Sequence, residues 1–196
     1  MTTRRIIILH GYNATPSSDW YGNVADHFRR QGCEVEVPAL PFPWAPNLNL
    51  WSKTVRELLD RKGWNPDINL TLIAHSTGCL AALRFAEQLP AGTKLGPSIL
   101  VAGFPAAMFH GRIPTLVARA PRPALLRGKF EQVLAVHSTN DWRVPCESNI
   151  RWAENTLGAE AYRVVNGGHL IRRHGYSDWP SPLYQRVEDF LGKPCQ

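Results

Sequence analysis

Three residues, Ser76, Asp141 and His169, are of the types that together turn a hydroxyl into a nucleophile. A serine is a poor nucleophile until a base takes its proton. A histidine base needs a carboxylate to fix its tautomer and to stabilise the imidazolium. Ser76 sits in Ala74-His75-Ser76-Thr77-Gly78, between an apolar, strand-forming run (70–74) and a helix-forming run (80–87). A serine on such a strand-to-helix corner is lifted out of the sheet, over the free N–H groups of the following helix. The usual pattern for this elbow is G-x-S-x-G; here Ala74 replaces the first glycine. Asp141 and His169 each follow a later apolar run, so the order along the chain is nucleophile, acid, base.

An acyl-transfer site also needs two donors for the oxyanion. The residue after the nucleophile gives one, the Thr77 amide. The turn His10-Gly11-Tyr12, which closes the first apolar run, offers the other at Tyr12. Trp20, Trp44 and Phe104 are the aromatic candidates for lining an acyl pocket, with core packing as the competing role for each. The other histidines fit the base less well. His75 precedes the nucleophile and should point away from it. His10 reads as a structural loop residue, His137 as a satisfied core residue inside a strand, and His174 follows an arginine pair. Among the acids, Asp67 and Asp178 lie off the strand ends, and Glu160 is at the wrong end of its strand.

The elements that must position these groups alternate. Strands are expected at 5–9, 33–37, 70–74, 98–102, 133–137 and 161–165. Helices are expected from about Asp19, which is a plausible N-cap, from Asn47 or Asn49, along 80–89, along 146–157, and from Ser181-Pro182. Between the second strand and its helix, four prolines in residues 38–46 forbid helix and ladder alike. Strands alternating with helices imply a parallel, doubly wound α/β sheet, whose active groups gather on loops at the carboxyl ends of the strands. Ser76, Asp141 and His169 fall there, after strands three, five and six.

The 196 residues suffice for one domain with a substantial core. Hydrophobic residues make up 44% and charged residues 19%, and no run is long enough to span a membrane. The apolar stretch near the N-terminus is too short for a signal peptide, so a cytoplasmic location is expected. Cys33, Cys79, Cys146 and Cys195 are scattered, with no C-x-x-C or zinc spacing, and read as free thiols. No metal or organic cofactor is implied. The net charge of +6 lacks a basic repeat interleaved with aromatics, so no nucleic-acid partner is expected. An irregular, basic insertion at about 104–130, with Arg112, Arg119, Arg122, Arg127 and Lys129, would lie above the strand ends as a partial cap. It either favours anionic substrates and surfaces or is simply a solvated face.

With these residues in view, the chain resembles the small serine hydrolases of the YdeN and retinoblastoma-binding-protein-9 type. The matching pieces are His10-Gly11-Tyr12 with Trp20-Tyr21, Leu48 with Trp51, His75-Ser76-Thr77-Gly78, Ser138-Thr139-Asn140-Asp141 with Val144-Pro145, Gly167-Gly168-His169, and Trp179-Pro180. The resemblance covers essentially the whole chain. It implies a compact α/β-hydrolase fold, a six-stranded parallel sheet in the order 2-1-3-4-5-6 with helices on both faces, as a single domain over 1–196. It also implies a Ser76/Asp141/His169 triad. Ala74 and the basic stretch 112–129, longer than the family's usual connection, are the departures. The expected activity is hydrolysis of a small-molecule carboxylic ester or amide through an acyl-enzyme. The alternative is a non-catalytic module that binds a protein partner on a hydrolase scaffold.

Overall fold

The structure, a computed structural model, describes residues 3–105 and 121–192. Six strands, β1 (Arg5–Leu9), β2 (Glu34–Glu36), β3 (Leu70–His75), β4 (Ser98–Val101), β5 (Val133–Ser138) and β6 (Glu160–Val164), pair in parallel. Their order is β2-β1-β3-β4-β5-β6, as the sequence leads one to expect. The five α-helices among the described residues are α1 (Tyr21–Arg30), α2 (Leu48–Lys62), α3 (Thr77–Glu87), α4 (Cys146–Leu157) and α5 (Ser181–Leu191).

The sheet is covered on both sides, which is why β1, β3, β4 and β5 are apolar almost without interruption. Successive side chains of a strand face opposite ways. Ile7, Leu9, Leu70, Leu72 and Ala74 therefore pack with Trp51, Val55 and Phe85 on the α2, α3 and α4 side. Ile6, Ile8 and Ile73 pack with Trp20, Val24, Val187 and Phe190 on the α1 and α5 side. The same alternation sends Ala74 toward α3 and His75 toward α1.

Local signals hold in some places and give way in others. Asn47 caps α2, its Oδ1 accepting from the Asn49 and Leu50 amides at 3.1 and 3.2 Å. Asp19 does not cap α1. Its Oδ1 accepts instead from the Arg172 amide at 2.9 Å, tying the loop before α1 to the loop after β6. Ser181 lies inside the first turn of α5 and makes no capping bond; Pro180 takes the N-cap position. Cys79 and Cys146 are free, whereas Cys33 is disulfide-bonded, which corrects the expectation of free thiols at that residue.

Most of the expected cap-like insertion, including Arg112 and Arg119, lies outside the described residues. Its described end is tied to α3. The Glu87 carboxylate, buried at 2% side-chain exposure, binds Arg84 at 2.6 Å and Arg122 at 2.8 Å. Burial alone would raise its pKa, but the bonds from Arg122 and Arg84 outweigh that and hold it below the usual range. Lys129 Nζ donates to the Leu89 and Pro90 carbonyls at 2.7 and 2.8 Å. Both cations tie this segment to α3 and the turn after it, while the Arg122 side chain stays 73% exposed. Among the described residues no helix is long and apolar enough to cross a membrane.

Candidate active site

Ser76 stands between β3 and α3 at φ 52° and ψ −122°, a left-handed backbone that non-glycine residues rarely adopt. Such strain persists only where the surroundings over-determine it. Here the Ser76 amide donates to the Val101 carbonyl at 2.9 Å, which ties the corner to β4. Gly78 lets the first turn of α3 press against the end of β1. A Cβ at Gly78 would meet the Leu9 and His10 carbonyl oxygens, the latter at 2.6 Å. Ala74 is fully buried among apolar neighbours, so its methyl group is accommodated in a turn that still forms. Gly78→Ala is accordingly expected to destabilise by more than about 3 kcal/mol, since backbone carbonyls cannot move aside as side chains do. Ala74→Gly should fold, at a cost of about 1 kcal/mol and a Tm lower by about 2–4 °C. Thermal denaturation of the two variants reads the contrast; equal Tm losses would contradict this account of the turn.

The structure brings Ser76, His169 and Asp141 together. His169 Nε2 lies 3.0 Å from Ser76 Oγ, and His169 Nδ1 lies 2.7 Å from Asp141 Oδ2. All three are buried. A carboxylate can only accept, so Nδ1–H donates to Asp141 and Nε2 is left to accept from the serine hydroxyl. The other Asp141 oxygen accepts from the Arg143 and Val144 amides at 2.9 and 3.2 Å. Burial would raise the Asp141 pKa, but the His169 bond and these amides prevail and lower it. The acid stays ionised beside its histidine.

The two loops that carry acid and base are laced together. Asn140 Oδ1 accepts from the Gly168 amide at 2.7 Å and from Ser138 Oγ at 2.9 Å. Thr139 Oγ1 accepts from the Asn166 amide at 3.0 Å. His174 does not reach Ser76: its Nδ1 accepts from the His169 amide at 2.8 Å and so fixes the His169 backbone. Asp67, Asp178 and Glu160 are engaged elsewhere, with Arg5, Tyr184 and Arg186 respectively.

His75 does not point away from this cluster. Its Nε2 bonds the His169 carbonyl at 3.0 Å, and its Nδ1 bonds the Tyr21 hydroxyl at 2.8 Å. The carbonyl can only accept, so Nε2 carries the proton, Nδ1 accepts, and the Tyr21 O–H donates. The Tyr21 oxygen in turn accepts from the Gly11 amide at 3.3 Å. One chain of hydrogen bonds thus runs from the turn after β1, through Tyr21 and His75, to the backbone of His169. Burial, reinforced by the nearby His169, holds the His75 pKa down at about 3, so the ring is neutral. Strand alternation pointed to this neighbourhood, since residue 75 shares a face with Ile73; the hydrogen-bond partners themselves could not be read from spacing. His10 is a loop fastener as expected: Nδ1 bonds the Gly11 carbonyl, and Nε2 accepts from the Leu40 amide, each at 3.0 Å. His137 is buried, but its Nδ1 has no hydrogen-bond partner, which corrects the reading of it as satisfied.

A cavity of about 640 Å³ opens at Ser76, with Gly11, Tyr12, His75 and His169 among its lining residues. Gly11 is close enough that a Cβ there would lie 3.2 Å from Ser76 Cβ. Thr77 is the first residue of α3, so its amide is among those with no intrahelical acceptor. The three aromatic candidates do not line this cavity. Trp20 is wholly buried, with its Nε1 bonded to the Leu170 carbonyl at 3.0 Å and its ring on Trp179. Phe104 is buried, and Trp44 is 62% exposed against Phe42. Sequence reading missed the polar wall instead: Asp19, Arg143, Arg172 and Arg173.

A doubly wound parallel sheet with serine, histidine and carboxylate at its strand ends has the architecture of the α/β-hydrolases. The chain belongs to the Serine hydrolase family, which it matches over residues 6–186. It is 28% identical to YdeN of Bacillus subtilis over 97% of this chain and 98% of that one. The crystal structure of the B. subtilis ydeN gene product superposes with a TM-score of 0.80, at 27% identity, covering 97% of this chain and all of that one. A YdeN-like protein from Pectobacterium atrosepticum matches at TM-score 0.74 and 18% identity, over 96% and 91% of the two chains. Est1E from Butyrivibrio proteoclasticus matches at 0.73 and 16%, over 97% and 87%.

Proposed function

We propose that the protein hydrolyses a carboxylic ester or amide of a small molecule through an acyl-enzyme on Ser76. The observation that carries this reading is His169 bridging Ser76 Oγ and Asp141, at 3.0 and 2.7 Å, beneath an open cavity. His169 Nε2 takes the serine proton as Oγ attacks the carbonyl carbon. The carbonyl oxygen becomes an oxyanion, held by the Tyr12 and Thr77 amides. Asp141 keeps the imidazole in the Nδ1–H tautomer and stabilises the imidazolium. That imidazolium protonates the departing alkoxide or amine, leaving the acyl group on Ser76. Water then attacks the acyl-enzyme, His169 removing its proton, and collapse of the second tetrahedral intermediate returns the proton to Ser76 and frees the acid.

The elements of this assignment are testable together with a fluorophosphonate, which reacts with an activated serine. Folded wild-type protein is expected to gain one covalent adduct on Ser76, read by intact mass and peptide mapping, and Ser76→Ala to gain none. A folded wild-type protein that stays unlabelled would overturn the enzymatic reading in favour of a protein-binding scaffold. Labelling that persists in Ser76→Ala would show that another residue is the nucleophile.

A further inference from the structure

The cavity over Ser76 has a one-sided charge. Arg143, Arg172 and Arg173 line it, and the carboxylate lining it with them is Asp19. Asp19 offsets one of these three charges, its Oδ1 accepting from the Arg172 amide while the Arg172 guanidinium reaches the Asp19 backbone carbonyl at 3.4 Å, and a positive excess remains on the wall. Arg143 is held by a different contact: its guanidinium carbon lies 4.9 Å from the centre of the exposed Trp142 ring.

Elsewhere in the fold Arg5, Arg29, Arg84, Arg122, Arg163 and Arg186 each pair with a carboxylate within 3.0 Å. Among the described residues Arg4, Arg30, Arg56, Arg61, Arg127 and Arg151 have no such pair and do not line the cavity; Arg143, Arg172 and Arg173 are the unpaired arginines that meet there. Two of the three backbones are held: Arg143 donates its amide to Asp141 and Arg172 donates its amide to Asp19, while Arg173 follows Arg172 in the loop after His169. Three unpaired guanidinium groups around one concavity form an electrostatic funnel of the kind that concentrates anions. Guanidinium also matches carboxylate and phosphate oxygens by bidentate bonding.

We infer that the substrate carries an anionic group, a carboxylate or phosphate, beside its scissile bond, and that Arg143, Arg172 and Arg173 receive it. The inference rests on the assignment of Ser76 as nucleophile and adds the chemical class of what is cleaved.

The test uses two matched ester pairs. Mono-4-nitrophenyl adipate is compared with its neutral methyl ester, placing the charge on the acyl side. 4-Acetoxybenzoate is compared with methyl 4-acetoxybenzoate, placing it on the leaving group. In at least one pair kcat/KM is expected to favour the anion by about tenfold or more at low salt. The difference should reside in KM and fade toward about 0.5 M salt, where screening reaches only a few ångströms. In the double variant Arg172→Gln/Arg173→Gln the anion-to-neutral ratio should fall to about one. Turnover of both members of each pair with no preference, or with preference for the neutral ester, overturns the inference and leaves the hydrolase reading standing. A preference that survives high salt and the double variant overturns it as well. No turnover of any ester together with no fluorophosphonate adduct would overturn both.

Discussion

Ser76→Ala, and separately His169→Ala, is expected to lower kcat by about 10⁵–10⁶-fold, and the double variant to lower it no further. The reason is the geometry of a relay. In the proposed mechanism Ser76 Oγ and His169 Nε2, 3.0 Å apart, do one job between them, so once either is gone the other has nothing to act on. Asp141→Asn should cost about 10⁴-fold. The amide group would offer the His169 Nδ1 position a donor where it now meets an acceptor at 2.7 Å, and the ring would settle in the wrong tautomer. Initial rates with 4-nitrophenyl acetate, alone and in the double variant, read these effects. Losses that multiply in the double variant would show that the serine and histidine act independently, and the relay would fall.

The second large effect is on stability in acid. Burial lowers the pKa of His10, that of His137 to about 4 and that of His75 to about 3. In the unfolded chain each returns to about 6.5. Below that value the unfolded state binds protons that the folded state refuses, so stability falls as the pH drops. The contribution of each is intact above about pH 6.5 and is lost progressively toward its folded pKa. The slope is up to about 1.4 kcal/mol per pH unit for each histidine that stays neutral. Asp141, with its lowered pKa, adds a loss of the same sign only in stronger acid, below the ordinary carboxylate range. Urea unfolding at steps from pH 8 to 4.5 should therefore show a steep decline in stability. His75→Gln, though less stable at neutral pH, should decline less steeply by about one proton's worth. Parallel slopes for the two proteins would mean that His75 is not held neutral.

Much of this site was legible because the fold imposes an order. Parallel strands with their carboxyl ends at one edge force Ser76, Asp141 and His169 toward one rim, and each stands just past an apolar run that marks its strand. What spacing could not supply was long-range pairing. Asp19 looked like a helix cap because it precedes α1. In the fold a residue 153 positions away, Arg172, brings its amide to the same oxygen. Trp20 looked like a pocket wall because it is aromatic and near the site loop; at the N-cap of α1 it is buried against Trp179 and His75. Arg143, Arg172 and Arg173 were invisible as a group, since a lone arginine in a loop carries no signal until two loops meet. His174 and Tyr21 escaped for the same reason: each acts through a partner that tertiary structure alone brings near.

The backbone of His169 is gripped at both of its polar groups, the N–H by His174 and the carbonyl by His75. The second grip leads on through Tyr21 to the Gly11 amide. Hydrogen-bonded units of this kind tend to open as a whole rather than one bond at a time. The loop that carries His169 and the turn after β1, which come from opposite ends of the chain, are thus joined by one run of hydrogen bonds. On the proposed mechanism, which needs the histidine and the turn's amide at once, a fluctuation that frees one is expected to loosen the other, and the neutral His75 imidazole is the link between them.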